Sequence, residues 1–243
     1  MDQLKNLSDD RLVDGCIYCG GSAETRDHVP SRIFLDTPFP ENLPVVGACL
    51  KCNHDFSLDE EYIACFIESV TTGSTDPEQI RRPKIAEILG KSPALRTRLE
   101  ADKYVVEGKT YMKVDNNRMK NVLLKLARGH AAYELCQICR EEPSHLWFGP
   151  LVSLTEDQRE SFNSCQFVEM LGEIGSRQMQ RLQVVQYILR TYDGKMSTIN
   201  ALINDWVEVQ LDRYRYIAIE ENSKILIKFV ISEYLACEAV WKV

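Results

Sequence analysis

The sequence predicts an α+β fold, in which a loop-rich N-terminal module stapled by cysteines is followed by a mixed α+β domain that ends in an antiparallel sheet. Two CxxC pairs lie in a first part rich in Gly and Pro. Helical periodicity marks the middle of the chain, and β-branched and aromatic runs close it. The stretch TTGSTDPEQ has the composition of a linker, so we place a domain boundary there, with domains of residues 1–72 and 73–243.

Composition and charge limit the classes of function. The chain has 243 residues, 44% of them hydrophobic, which is enough for a substantial core. It has no run of about 18 apolar residues, and its start, MDQLKNLSDDRLVDG, lacks the pattern of a secretory signal. We therefore expect a soluble, cytoplasmic protein with no membrane partner. The net charge of −7 disfavours a nucleic-acid partner, but residues 71–135 carry 13 basic and 8 acidic side chains, so the middle of the chain is basic.

Local patterns in the first part predict few regular elements. A helical turn starting at Ser8 or Asp9 is expected before the first cysteine pair. Strand-like runs at 25–29 and 43–48 predict a loop-heavy hairpin. After the second cysteine pair, apolar residues recur at helical spacing and predict a helix over about 57–70.

The middle of the chain predicts helices around a hairpin. Two short helices are expected over 80–90 and 93–101. KYVVEGKTYMKV predicts a hairpin with its turn at Glu107-Gly108. NNRMKNVLLKLARGHAAYELC predicts a long amphipathic helix with Asn116 or Asn117 as its N-cap.

The last part of the chain predicts a sheet. Residues 179–190 and 197–205 show both strand and helix character, so their type stays open. RYRYIAIEENSKILIKFVISEYLACEAVWKV has β-branched and aromatic runs on both sides of an EENS turn. It predicts an antiparallel meander.

The cysteine spacing predicts a structural zinc site. Cytosolic thiols are kept reduced, so the nine cysteines indicate metal ligation or burial and not a disulfide framework. Two CxxC pairs separated by 29 residues match a tetrahedral four-thiolate site, because each CxxC turn delivers two thiolates to one side of the ion. The alternative, four buried core cysteines, is disfavoured by the loop-rich surroundings. The expected ligands of Zn²⁺ are Cys16, Cys19, Cys49 and Cys52.

Polar residues near the two cysteine pairs suggest where chemistry takes place. A four-thiolate zinc ion has no open coordination position, so it cannot itself activate a water. Asp27-His28 lies between the pairs, and Asn53 follows the second pair directly. A carboxylate and an amide oxygen can hold a hard ion such as Mg²⁺, and a neutral imidazole can take a proton from an attacking water. This set suits phosphodiester hydrolysis.

The order CxxC, DH, N, CxxCN resembles the His-Asn-His (HNH) endonuclease family, in its four-cysteine branch. The resemblance implies a zinc-stapled ββα-metal (HNH) module. It implies that His28 is the general base, that Asp27 and Asn53 hold a catalytic Mg²⁺ or Mn²⁺, and that Asn42 ties the hairpin loop by hydrogen bonds. His54 follows Asn53, so the register of the last position is open by one residue.

Further short matches, including DHVP, NLPVV and SLDEEY, resemble a bacterial group of HNH proteins linked to mobile elements and phage defence. The resemblance implies that neutral His28 deprotonates a water aimed at the phosphorus, and that the cut leaves a 5′-phosphate end. Plainer roles remain open at this stage. Asn53 could be an N-cap, Asn42 a turn residue, and Asp59, Glu60 and Glu61 the solvated first turn of a helix.

Two further groups are candidates of a weaker kind. Cys136 and Cys139, with His145 and Cys165, form a candidate second zinc site, against the alternative of ordinary buried thiols. Basic residues of the long helix and the segment before it are candidates for phosphate contacts, against the alternative of a solvated face. They are Arg118, Lys120, Lys125 and Arg128, with Arg81, Arg82 and Lys84 upstream.

These observations predict a metal-dependent DNA endonuclease whose second domain positions or regulates the first. The main alternative is a non-catalytic zinc-binding module that recognises nucleic acid or a protein. A third hypothesis is an antiphage defence effector that cuts only when a companion protein or a bound signal licenses it, which the acidic net charge favours. Homo-oligomerisation and the DNA target stay open.

Overall fold

The computed structural model describes Lys5, Leu7 and residues 15–107, 109–169 and 172–242. Within these ranges the chain is a mixed α+β structure with six α-helices, and its strands pair in antiparallel fashion, as predicted. No helix in the described ranges has the length and hydropathy of a membrane span. The predicted turn at Ser8 or Asp9 lies outside the described residues.

The first part forms two paired strands followed by a long helix. Strand β1 (Thr25–His28) pairs with β2 (Val45–Ala48), with Asp27 opposite Val46. Helix α1 (Leu50–Thr72) begins seven residues before the predicted start at 57, because the second cysteine pair itself forms its first turn. Cys49 is the N-cap, and its Sγ accepts a hydrogen bond from the Cys52 backbone N–H at 3.4 Å.

The next elements confirm the predicted helices and hairpin. Both short helices have proline in the first turn, where its missing N–H costs no intrahelical bond. Glu107 adopts a left-handed φ of 50° in the hairpin turn, and the Gly108 half of that turn lies outside the described residues. The elements are α2 (Pro83–Lys91), α3 (Pro93–Ala101), β3 (Lys103–Val106) and β4 (Lys109–Met112).

The long helix α4 (Asn116–Leu135) is the central helix of the structure. Its N-cap is Asp115 and not the predicted Asn116 or Asn117, because the Asp115 carboxylate accepts from the backbone N–H groups of Asn117 and Arg118. Fourteen of its residues are buried, so it presents little of the solvated face that its basic residues suggested.

The last part forms two sheets. The predicted terminal meander is confirmed as β10, β11 and β12, and the turn between β10 and β11 places Asn222 and Ser223 at positive φ. One sheet has the order β5-β12-β11-β10-β9, and a smaller one has the order β6-β8-β7. The elements are β5 (His145–Pro150), α5 (Glu156–Asn163), β6 (Gln166–Val168), α6 (Arg177–Arg181), β7 (Gln183–Arg190), β8 (Met196–Asn204), β9 (Val207–Gln210), β10 (Tyr214–Glu221), β11 (Lys224–Ile231) and β12 (Leu235–Lys242).

The main hydrophobic core runs across the predicted domain boundary. α1 packs against α4, and α4 packs against β10, β11 and β12 of the five-stranded sheet. One cluster of buried side chains contains Tyr62 and Ile67 of α1, Leu126 of α4, and Tyr216 and Phe229 of the sheet. A smaller cluster joins the cysteine region to α4 through residues such as Ile17 and Tyr133. The two predicted domains therefore share packing, and their division stays a prediction.

Candidate functional site

The four cysteines of the first part converge as predicted. The Sγ atoms of Cys16, Cys19, Cys49 and Cys52 all lie within 4.8 Å of one another, and those of Cys19 and Cys49 are 3.7 Å apart. A Zn–S distance of about 2.3 Å in a tetrahedron gives S···S edges of about 3.8 Å. The donor set and its spacing therefore fit a structural metal ion such as zinc.

Local backbone structure brings the two cysteine pairs together. The first pair forms a tight turn in which Gly20 N–H donates to the Cys16 carbonyl at 2.8 Å, and Gly20 adopts a φ of 82° that favours glycine. The second pair is held by the N-terminus of α1. The turn and the helix end lie at the same end of the β1–β2 pair, because Ile17 N–H donates to the Gly47 carbonyl at 3.1 Å.

The cysteine thiols differ in acidity. Burial acts to raise the pKa of Cys16, but hydrogen bonds from the backbone of Cys49, Cys19 and Tyr18 outweigh it and lower the pKa to about 7. Burial and hydrogen bonds with the neighbouring thiols raise the pKa of Cys52. Since metals bind the thiolate, Cys16 reaches the metal-binding form more readily than Cys52.

Asp27 points into the protein from β1. Its side chain is 6% exposed, since alternate residues of a strand face opposite sides and the Asp27 side is covered by α1 and α4. The Tyr18 hydroxyl donates to Oδ2 at 2.7 Å, and Lys125 Nζ of α4 donates to Oδ1 at 3.0 Å. Both carboxylate oxygens of Asp27 therefore have protein partners.

Lys125 connects Asp27 to Glu60 of α1. Its ammonium donates to Ser31 Oγ at 2.7 Å and to Glu60 Oε1, and the Ser31 hydroxyl also donates to Glu60. Burial raises the pKa of Glu60, while Lys125 and Ser31 act to lower it. Two expectations are corrected here. Lys125, which is 1% exposed, has no surface to offer a phosphate, and Glu60 lies buried in the middle of α1 and not in a solvated first turn.

His28 lies on the opposite side of β1 from Asp27 and is half-buried. Its ring makes no hydrogen bond to any of the described residues. Burial lowers its pKa, the positive charges of Arg32 and Lys125 lower it further, and Asp27 opposes them. A neutral imidazole is the form that can accept a proton.

The two asparagines take different positions. Asn53 lies in the first turn of α1, where Nδ2 donates to Thr25 Oγ1 of β1 at 3.1 Å. The N-cap is Cys49, so Asn53 does not cap the helix. Asn42 is exposed and makes no hydrogen bond to the part of the chain that the structure describes, so the expected tying of the hairpin loop by Asn42 is not seen. Gln210 holds that loop instead, through the backbone of Asp36 at 2.7 and 2.9 Å.

The other basic residues predicted on α4 have internal partners. Arg118 approaches Asp59 at 3.5 Å, and Lys120 approaches Glu142 at 2.8 Å. Arg128 donates to the backbone carbonyls of Arg140 and Glu141. That these residues contact phosphate stays a prediction, and their protein partners make it less favourable.

The candidate second zinc site does not assemble. In the described ranges the four cysteines of the first part are the only group of three or more possible metal ligands that comes together. Cys136 and Cys139 are buried at the end of α4, and burial raises the pKa of Cys139 to about 12, which disfavours the thiolate. His145 lies instead on the exposed start of β5, 3.8 Å from Glu238.

Three residues around Asp27 were not predicted as partners: Tyr18, Ser31 and Lys125. Lys125 lies between apolar residues in NVLLKLA, and this setting was the available signal that its side chain is buried. Comparison of the chain with protein-family models, with curated proteins and with solved structures gives no match. The geometry therefore supports the four-cysteine cluster as a metal site. The expectation of a nuclease rests on the sequence motifs alone.

Proposed function

We propose that the protein is an endonuclease that hydrolyses DNA phosphodiester bonds with His28 as the general base. The observation that carries the proposal is the position of Asp27-His28 on β1, the strand whose first residue, Thr25, pairs with Ala48 directly before the second cysteine pair at the start of α1. Asn53 in the first turn of α1 contacts the same strand. This strand, strand, helix order is the arrangement that the family resemblance implies.

The proposed chemistry needs a general base that activates a water. Neutral His28 takes one proton from a water, the water oxygen bonds to phosphorus, and the bond from phosphorus to the 3′-oxygen breaks. The 3′-oxygen takes a proton from solvent water, and His28 gives its proton back to solvent. The products are a 5′-phosphate and a 3′-hydroxyl. The zinc ion, when bound by the four thiolates, holds the two loops and takes no part in this step.

The residues do not fit the divalent ion that the resemblance adds. Asp27 is almost fully buried, both its oxygens have partners, and the Lys125 ammonium already supplies a positive charge at 3.0 Å. A Mg²⁺ or Mn²⁺ ion at this carboxylate would face that charge in a region of low dielectric. The proposed step therefore runs on His28 without a catalytic metal at Asp27.

The engagement of Asp27 with Lys125 favours a second candidate function. A zinc-binding module that recognises nucleic acid or a protein without cutting it has no need for a free carboxylate beside His28. The net charge of −7 also keeps a licensing companion protein within the proposal, because an acidic chain binds DNA poorly unaided.

A plasmid-nicking assay tests the proposal. Zinc-loaded protein is incubated with supercoiled plasmid with Mg²⁺, with Mn²⁺ or with neither, beside His28→Ala and the control His54→Ala. We expect the wild type and His54→Ala to nick the plasmid, and His28→Ala to be slower by about 100-fold or more, the usual contribution of a general base.

All three proteins should contain the same amount of zinc and unfold at the same temperature. Wild-type cleavage rates in His28→Ala would contradict the role of His28. A lack of nicking under every condition would favour the recognition module, unless addition of a partner restores it. Rapid cleavage by His28→Ala but not by His54→Ala would move the base to the other histidine.

A further inference from the structure

A cavity of about 480 Å³ lies between the segment that follows β1 and the start of α2. This volume falls in the range of about 300–1,000 Å³ that is usual for ligand sites. The walls are largely apolar, with Ile33, Leu35, Phe39 and Pro83 among them. Five of the lining residues are Arg or Lys and one is Asp, so the cavity is also strongly positive.

Two of these cations build the wall of the cavity. Asp36 accepts from Arg82 Nε at 2.7 Å and from Arg213 Nε at 2.5 Å, and these guanidinium groups hold its pKa below the usual range although burial opposes them. Arg82 is 3% exposed and also donates to the carbonyls of Ile33 and Leu35, each at 2.8 Å. These bonds fix the cavity's shape before any ligand arrives.

The remaining three cations lie at the mouth of the cavity. Arg32 and Arg81 are exposed and form no ion pair with a carboxylate of the described residues, and Lys84 is 3.7 Å from Glu87 at its nearest. Helix α2 starts here without a side-chain N-cap bond, so its positive end also faces this region. Exposed cations of this kind, two of them without an ion pair to the described residues, favour an anionic ligand.

An aromatic ring and the nearness of His28 narrow the kind of anion. Phe39 is 37% exposed, and the Arg32 guanidinium lies 5.4 Å from its ring centroid. Arg32 is four residues beyond His28, and its charge acts on that histidine. Positive grooves with aromatic side chains are how proteins hold single nucleic-acid strands, because phosphates meet the cations and bases stack on the rings.

We propose that this cavity binds one nucleotide of a DNA strand, with its phosphate on Arg32, Arg81 and Lys84 and its base against Phe39. The inference rests on the proposed function, and it assigns to the cavity the nucleotide that flanks the phosphate presented to His28. Of the predicted phosphate contacts it keeps Arg81 and Lys84 and adds Arg32, and it leaves out the basic residues of α4, which have internal partners.

Binding is tested apart from cleavage. The full, zinc-loaded chain carries His28→Ala throughout, and fluorescence anisotropy measures the Kd of a labelled single-stranded oligonucleotide of mixed sequence. The cavity variants are Arg81→Glu with Lys84→Glu, and Phe39→Ala. The matched control, Arg159→Glu with Arg190→Glu, makes the same change of charge at two exposed positions far along the chain.

We expect the double cavity variant to raise the Kd by at least tenfold and to reduce the slope of log Kd against log salt by about 0.7 for each lost phosphate contact. Phe39→Ala should raise the Kd by about tenfold, the loss of one stacked base. The control should change the Kd less than twofold. Equal losses in both double variants, or an unchanged Kd in Phe39→Ala, would overturn the inference.

The two proposals fail in different ways. If wild-type protein nicks plasmid while the cavity variants bind the oligonucleotide as tightly as their parent, the cavity is not the nucleotide site and the endonuclease stands. If the cavity variants alone lose binding and wild-type protein never nicks, the site stands as part of a recognition module and the endonuclease fails.

Discussion

His130 lies wholly buried in α4, where its ring stacks on Tyr216 with centroids 3.9 Å apart. Nε2 lies 2.8 Å from the Tyr214 hydroxyl, while Nδ1 has no partner in the described ranges. Burial lowers the pKa of His130 to about 3. Glu134, four residues further along α4, has its carboxylate held by Arg181 and by the Tyr216 hydroxyl.

This histidine predicts an acid sensitivity of the fold. Its folded pKa of about 3 lies below the unfolded value of 6.5, so the unfolded state binds more protons between these values and stability falls as the pH drops through that window. Urea unfolding at about pH 7.5 and about pH 5.5 should show a loss of about 1.4 kcal/mol from this group alone. His130→Gln keeps a partner for Tyr214. Between the two pH values, its free energy of unfolding should fall less than that of the wild type, by the amount that the histidine contributes. Equal losses in the two proteins would contradict this prediction.

Each cysteine of the cluster should be needed for the ion. Cys16→Ser replaces a thiolate by a hydroxyl that binds zinc poorly, so bound zinc should fall from one ion per chain to near none. The thermal midpoint should fall with it, by about 2–4 °C for each kcal/mol of lost stability. Zinc analysis and a thermal scan measure both. Cys165→Ser, outside the cluster, is the control and should keep the zinc. A zinc-replete Cys16→Ser protein would contradict the four-thiolate site.

At the scale of elements, the contact between α4 and the end of β1 is unusually close. A Cβ on Gly129 would lie 2.6 Å from Val29 Cγ2, and Val29 is fully buried next to His28. Glycine therefore lets the α4 backbone approach the strand that carries the candidate site. The same approach brings Lys125, one helical turn earlier, onto Asp27.

Gly129→Ala should destabilise the protein because the added methyl overlaps Val29. Overpacking of this kind costs about 1–3 kcal/mol, measured by urea unfolding. Gly90→Ala in α2 is the matched control, since its Cβ would meet only Pro77 Cγ at 3.9 Å, and it should stabilise by about 0.5–1 kcal/mol. Val29→Ala should recover part of the loss in the Gly129→Ala background. A gain of stability in Gly129→Ala would disprove the overlap.

The elements that local periodicity could predict are those formed by local interactions. The strands near 25–29, the two short helices and the terminal meander are confirmed, because their apolar patterns and turn residues specify them within the segment. The start of α1 was misplaced because Cys49 acts as an N-cap, a role that thiols rarely take. The sequence of 179–190 does not specify its type, because β7 is exposed along most of its length and no buried face marks its period; residues 179–181 belong to α6.

At the scale of the whole molecule, packing continues from the cysteine region to the last strand. α4 contacts both the strand pair around the candidate site and the five-stranded sheet. A hydrogen bond extends this link, since Arg140 after α4 donates to the Cys16 carbonyl at 3.4 Å. The linker-like stretch 71–79 lies at the end of α1 and before α2, and buried residues of both helices belong to the same hydrophobic cluster.

The spacing of the cysteines along the chain predicts the cysteine cluster. The sequence does not predict the contacts of Asp27 with residues that lie far away in the chain. Four cysteines in two CxxC pairs predict that their thiols come together, since each pair supplies two ligands to one metal ion. The burial of Lys125 could not be read from the sequence with the same force, because its partners lie 65 and 98 positions away. Non-local ion pairs of this kind leave no periodic trace, so a basic residue on an amphipathic helix is by default expected in solvent.

The same ion pair limits how this module can be copied between proteins. A cassette of the first 72 residues would carry Asp27 and Glu60 but leave their cation behind, since Lys125 belongs to α4. Without α4, the carboxylates of Asp27 and Glu60 would have no cation beside them. A buried charge without a partner strongly destabilises a fold. The smallest segment that can fold by itself around this ion pair therefore includes α4. A fragment that omits α4 should not adopt the same structure.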